Sequence, residues 1–201
     1  MAYATRTITH GTENVAMSGR DELGALKRIQ STGVAKFNPS IDQDSKNINA
    51  DARTHMTLTN PKKLTIEIDN YQYSDDEMIQ MGYIKVNGGF VDTGTYKPFD
   101  IQRITTVQSA DGTKTKKLDV YYEVTSGAFT ESDDEDDDEI NPKTYTRTLN
   151  VKGRDFVDGK GVVKHFSVVR TDENKAIFDT HETKILSPSD FKPTGSNPAG
   201  A

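Results

Sequence analysis

The sequence predicts a mainly β protein: an antiparallel sandwich or barrel with one short flanking helix, a long polar loop and extended termini. Three observations carry this. Leu64, Ile66 and Ile68 alternate with Lys63, Thr65, Glu67 and Asp69, the period-two pattern of a strand with one face in a core and one in water. Asn87-Gly88 and Asp111-Gly112 are pairs that accept the positive φ of tight hairpin turns. The segment from Asp75 to Met81 alone carries a convincing set of helix end signals.

Composition narrows the class further. A chain of 201 residues is long enough for one sizeable core. Its hydrophobic fraction of 33% is low, which fits either long loops or a subunit that buries polar arms against its neighbours. There is no cysteine, so a disulfide scaffold and thiolate chemistry are excluded. No apolar run approaches the length of a membrane span, and the N-terminus has no signal-peptide core, so a soluble, unprocessed protein without membrane contact is expected. The net charge of −6 is local in origin: eight of the nine residues from Glu131 to Glu139 are acidic, and without them 23 acids face 25 lysines and arginines. No basic footprint for nucleic acid is present.

In chain order, residues 1–24 are polar and punctuated by glycine, and read as an N-terminal arm. Residues 25–186 read as the β domain. Leu26 to Phe37 supplies a first strand, and Asn38 to Arg53 a long polar loop. His55 to Asn60 resumes as a strand, turned by Asn60-Pro61 into the Leu64 strand. Ser74 stands three residues before Glu77, the spacing of a capping box, with Tyr73 and Met78 at staple positions and Gly82 as the stop. Met78, Ile79 and Met81 are expected to face the sheet. Tyr83–Val86 and Gly89–Asp92 flank the Asn87-Gly88 turn. Phe99 to Gln108 and Lys114 to Thr125 flank the Asp-Gly turn, the second with Leu118, Val120, Tyr122 and Val124 on one face and Asp119, Tyr121, Glu123 and Thr125 on the other. After the acidic connection come strands at Thr144 to Val151, Val162 to Arg170 and Ala176 to Asp179. Residues 187–201 have the composition of a flexible tail.

Catalytic signals are thin. His10, His55, His165 and His181 are scattered without metal-ligand spacing, and a lone strand histidine such as His165 is more often packed or exposed than ligating. Nucleophile-elbow, Walker and dinucleotide patterns are absent. The acidic run lacks the glycine and the alternation of a calcium loop, and reads as a solvated, self-repelling segment. Neither an enzyme nor a cofactor is indicated.

The order of features, from the polar lead through the strand pair His55 to Asn60 and Lys62 to Asp69, the helix closing on Gly82-Tyr83, the Asn87-Gly88 hairpin, the Tyr121-Tyr122-Glu123-Val124 strand and the Thr-Tyr-rich strand from Thr144, resembles major tail tube proteins of long, non-contractile (siphophage) phage tails. The resemblance covers roughly residues 25–180. It implies a virion subunit made in the host bacterial cytoplasm, assembled into homohexameric rings that stack into a tube. Double-stranded DNA would pass through that tube without specific binding. Tape-measure and tail-terminator proteins would be its other partners. It further implies that Asp42, Asp44, Ser45, Asn47, Asn49, Asp51 and Arg53 lie on a loop reaching the adjacent ring. Glu67, Asp69, Asp119 and Glu123 are candidates for the channel lining, on strand faces that read as polar. The alternative is another β-sandwich structural or binding module, such as a capsid decoration protein or an adhesive domain. A hydrolase or lectin on the same fold stands behind both.

Overall fold

The computed structural model describes residues 7–20, 26–43, 45–50, 53–59, 62–95, 97–131, 144–155 and 161–191. The acidic run beyond Glu131 and the tail beyond Phe191 lie outside them. Strands β1 (Thr7–Arg20), β2 (Leu26–Gln30), β3 (Val34–Asp42), β4 (Ser45–Ala50), β5 (Arg53–Thr59) and β6 (Lys63–Asn70) precede helix α1 (Asp75–Gln80). There follow β7 (Tyr83–Val86), β8 (Gly89–Asp92), β9 (Phe99–Ser109), β10 (Lys114–Glu131) and β11 (Tyr145–Val151). The chain continues through β12 (Arg154–Asp155), β13 (Val162–Val163), β14 (His165–Val169) and helix α2 (Lys175–His181), then a 3-10 turn at Pro188–Phe191. The mainly antiparallel β class expected from the sequence is the one observed. The chain forms two compact units, one of Met1–Gln30, Phe99–Tyr122 and Gly153–Ala201, the other of Ser31–Pro98 and Glu123–Lys152. Strand β10 contributes its first half to one and its second half to the other.

In the first unit the strands run in the order β2-β1-β9-β10, with β14 also on β10. Leu118, Val120 and Tyr122 of β10 form a buried cluster with Ile104, Phe178 and Leu186. Phe191 closes over it, its ring 3.5 Å from that of Phe166. Three expectations are corrected here. Thr7–Arg20 is a strand paired on both sides, with Val15, Ala16 and Met17 buried, and not a loose arm. Ala176 to Asp179 lies in a helix, because Ile177, Phe178 and His181 recur at helical spacing and give α2 an inward stripe. The tail begins later than Ser187, since Ser187 donates to Asp190 through both its amide (2.7 Å) and its hydroxyl (3.0 Å) and starts the 3-10 turn.

In the second unit the order is β10-β11-β6-β3. The burial of β6 alternates strictly, with Leu64, Ile66 and Ile68 inside. Asn87 and Gly88 take φ of 49° and 85°, which seats the β7–β8 hairpin in the expected register. The capping box of α1 is complete, and Gly82 follows at φ 102°. The C-cap Met81 is buried as expected, but the rest of the inward face of α1 differs: Glu77 and Gln80 are buried while Ile79 is 45% exposed. Glu77 turns inward because its carboxylate has three donors, Ser74 N (2.8 Å), Ser74 Oγ (2.8 Å) and Ser31 Oγ.

Candidate functional site

The sheet of the second unit has two chemically distinct faces, and the strand registers show how they arise. Phe37 stands opposite Ile68 and Ile68 opposite Arg147; Ile66 stands opposite Leu149, and Leu64 opposite Val151. This face is the apolar one. Arg147 on it is 1% exposed, donates to Ser126 Oγ at 2.8 Å, and lies over the rings of Tyr73 (5.4 Å) and Tyr83 (5.5 Å). Two aromatic faces thus replace part of the hydration of a buried cation. The same burial pushes the Tyr73 phenol up to about 12, against the opposing pull of the Arg147 charge.

On the opposite face, Lys36, Asp69 and Thr146 form one row, and Asn38, Glu67 and Thr148 the next. Glu67 and Asp69 are half-buried there; Lys36 pairs with Glu67, Asp69 lies 3.8 Å from the Lys36 ammonium, and Thr146 donates to Asp69 at 2.7 Å. The face is polar, but its acids are partly neutralised by a lysine that stands 31 residues from Glu67 in sequence.

The two other acids named from the sequence sit elsewhere. Asp119, in the first unit, is fully buried, with Lys117 Nζ and His165 Nε2 each 3.1 Å from Oδ1 and Arg103 Nε 3.3 Å from Oδ2. Burial alone would raise its pKa. The hydrogen bonds from His165 and Ser167 and the charges of Lys117 and Arg103 outweigh that and hold it well below the usual carboxylate range. A carboxylate so enclosed cannot line a water-filled channel through its own side chain, so that expectation is corrected. Tyr121 beside it is buried too, its ring stacked on His165 at 4.5 Å, so the β10 face that reads as wet is covered. Glu123 takes φ 47° and leaves the alternation of β10 at that point.

Five of the seven residues named for an inter-ring loop lie on strands. Asp42 ends β3 and is exposed; Ser45, Asn47 and Asn49 are in β4, and Arg53 begins β5. Asp44 and Asp51 fall outside the described residues. The polar stretch is a hairpin and not a loop, because Ser45 to Ile48 pair in register with Thr59 to Met56. Among the described residues β4 and β5 hydrogen-bond as strands only to each other.

A family model described as phage tail tube protein matches residues 1–193. The chain belongs to the phage tail tube protein family. As a tail tube protein it is a structural component of the phage virion, placed in the tail. No curated protein matches this tail tube protein. Among solved structures it is similar to a chain of the anti-feeding prophage baseplate, determined by cryo-EM with six-fold symmetrisation. The TM-score is 0.40 and the identity 6%, over 84% of this chain and 95% of that one. No described helix of the tail tube protein is long and apolar enough to cross a membrane.

Proposed function

We propose that this protein is the repeating subunit of a long, non-contractile tail tube, six copies to a ring and rings stacked end to end, whose bore conducts double-stranded DNA and whose role is not enzymatic. The observation that carries the reading, given the family, is the two-faced sheet of the second unit. A tube wall needs one face sealed and one face that tolerates water, and the rows through Ile68 and through Asp69 have those characters. A wet face with paired rather than excess positive charge also suits passage of DNA, because adhesion to phosphates is driven by counterion release at clustered cations. Glu67 and Asp69 are the lining residues of this proposal. Among the described residues β2, β3 and β14 stand at the margins of the strand order, and such edges are where copies could join. Tape-measure and terminator proteins are the partners expected inside and at the end of the tube.

Electron microscopy of the purified chain at high concentration tests this. Rings or tubes with sixfold order are expected; solitary particles at every concentration would overturn it.

A further inference from the structure

Neither strand of the β7–β8 hairpin contains a buried residue: Tyr83 and Phe90 are half-buried and the other six residues are exposed. Among the described residues the two strands hydrogen-bond as strands only to each other. Their register places Tyr83, Lys85, Phe90 and Asp92 on one face and Ile84, Val86 and Val91 on the other. A two-stranded hairpin with so little buried surface is marginal by itself in water, so its attachment to the rest of the second unit decides where it stands.

That attachment has two parts. Gly82 precedes β7 at φ 102° and Gly94 follows β8 at φ 66°, backbone conformations that glycine adopts without strain, and a Cβ built on Gly94 would meet nothing within 4 Å. Thr93 closes the base between them, donating to the Gly82 carbonyl through its hydroxyl (2.7 Å) and its amide (3.4 Å). The hairpin is thus a closed loop carried on two glycines. Lys85 adds an ion pair to Asp75 of α1, but both groups are exposed and such pairs hold weakly.

The second part is Arg147. Its guanidinium, fixed on β11 by Ser126, lies between the rings of Tyr73 and Tyr83, and its Nη2 is 3.4 Å from the Tyr83 hydroxyl. Tyr73 immediately precedes the N-cap Ser74 and Tyr83 stands two residues past the C-cap Met81, so one cation grips both ends of α1. The helix is fixed a second time by buried Glu77, Gln80 and Met81. The hairpin beyond it enters the clasp through its first residue.

We infer that β7–β8 is a hinged flap, which turns on Gly82 and Gly94 and is latched by the stacking of Tyr83 on Arg147. Opening gives up that contact and the partial burial of Phe90, and leaves α1 and the sheet in place. The face carrying Ile84, Val86 and Val91 can therefore be presented at more than one angle without unfolding the unit. The latch lies within one copy and does not depend on the tube reading.

Hydrogen exchange of the full-length chain, followed segment by segment, tests the flap. In wild type, the amides that pair β7 with β8 should exchange through an opening that leaves those of β6 and β11 protected. Y83A removes the ring from Arg147 and should speed exchange across the hairpin at least about tenfold, with β6 and β11 at wild-type rates; Y83F keeps the ring and should stay within about threefold of wild type. The flap is overturned if the wild-type hairpin exchanges only together with β6 and β11 in one global step. The latch is overturned if Y83A leaves the hairpin unchanged or speeds all three elements alike, or if Y83F behaves as Y83A does.

Discussion

His165 Nε2 lies 3.1 Å from Asp119 Oδ1, so β14 brings a ring nitrogen onto a fully buried carboxylate of β10 that also meets Lys117 and Arg103. Breaking a buried charge cluster by removing one partner is costly, because the remaining charges lose their counterion without regaining water. D119N is therefore expected to lower unfolding stability by about 3 kcal/mol at neutral pH, read from the urea midpoint.

The same cluster sets an acid dependence. The folded pKa of Asp119 is depressed, so its contribution is fully present above the ordinary carboxylate value of about 3.9 and is lost progressively as pH falls below it. Wild-type stability should decline in that acid range more steeply than that of D119N. Parallel pH profiles for the two would refute the assignment.

Ser31 and Ser74 both donate to Glu77, one from the segment before β3 and one from the helix cap. Each alanine substitution should cost about 1 kcal/mol. Because they share an acceptor, the double variant should depart from the sum. Strict additivity in a chemical-denaturation cycle would show that Glu77 does not couple them.

A Cβ built on Gly127 would stand 2.6 Å from the carbonyl oxygen of Thr148, across the ladder where β10 and β11 shift register. A backbone oxygen cannot rotate aside. G127A should destabilise by about 2–3 kcal/mol, and hydrogen exchange should rise first in β11 amides near Thr148.

Asp42 and Lys63 are register partners at the far end of the β3–β6 ladder. Replacing residues 43–62 by Asn-Gly should therefore close a tight hairpin, leave a cooperative melting transition, and abolish tube growth in the microscope. Tubes of normal length would remove the β4–β5 hairpin from stacking.

Local chemistry made the stretch from β6 to β8 legible: strict alternation, a capping box and an Asn-Gly turn each act within a few residues. β1 was hidden because its register shifts at His10/Thr12 and Glu13/Ala16, with Gly11 and Asn14 at positive φ, erase the period-two pattern. α2 was misread because four residues cannot distinguish a helical from an extended period. The Asp119 cluster was invisible for a different reason. The cations that allow its burial come from β9 and from within β10, and the imidazole from β14, so a strand whose polar residues look solvated is in fact covered on both sides.

Pro39 sits opposite Ile66 on β3, a strand whose only ladder partner among the described residues is β6. Having no amide hydrogen, it can occupy that position only with its nitrogen turned to the open side. An incoming chain would there find a carbonyl to bond and nothing to bond its own carbonyl. A strand added at that margin would forfeit one hydrogen bond unless its own backbone bulged past Pro39, so the proline discourages indiscriminate pairing there.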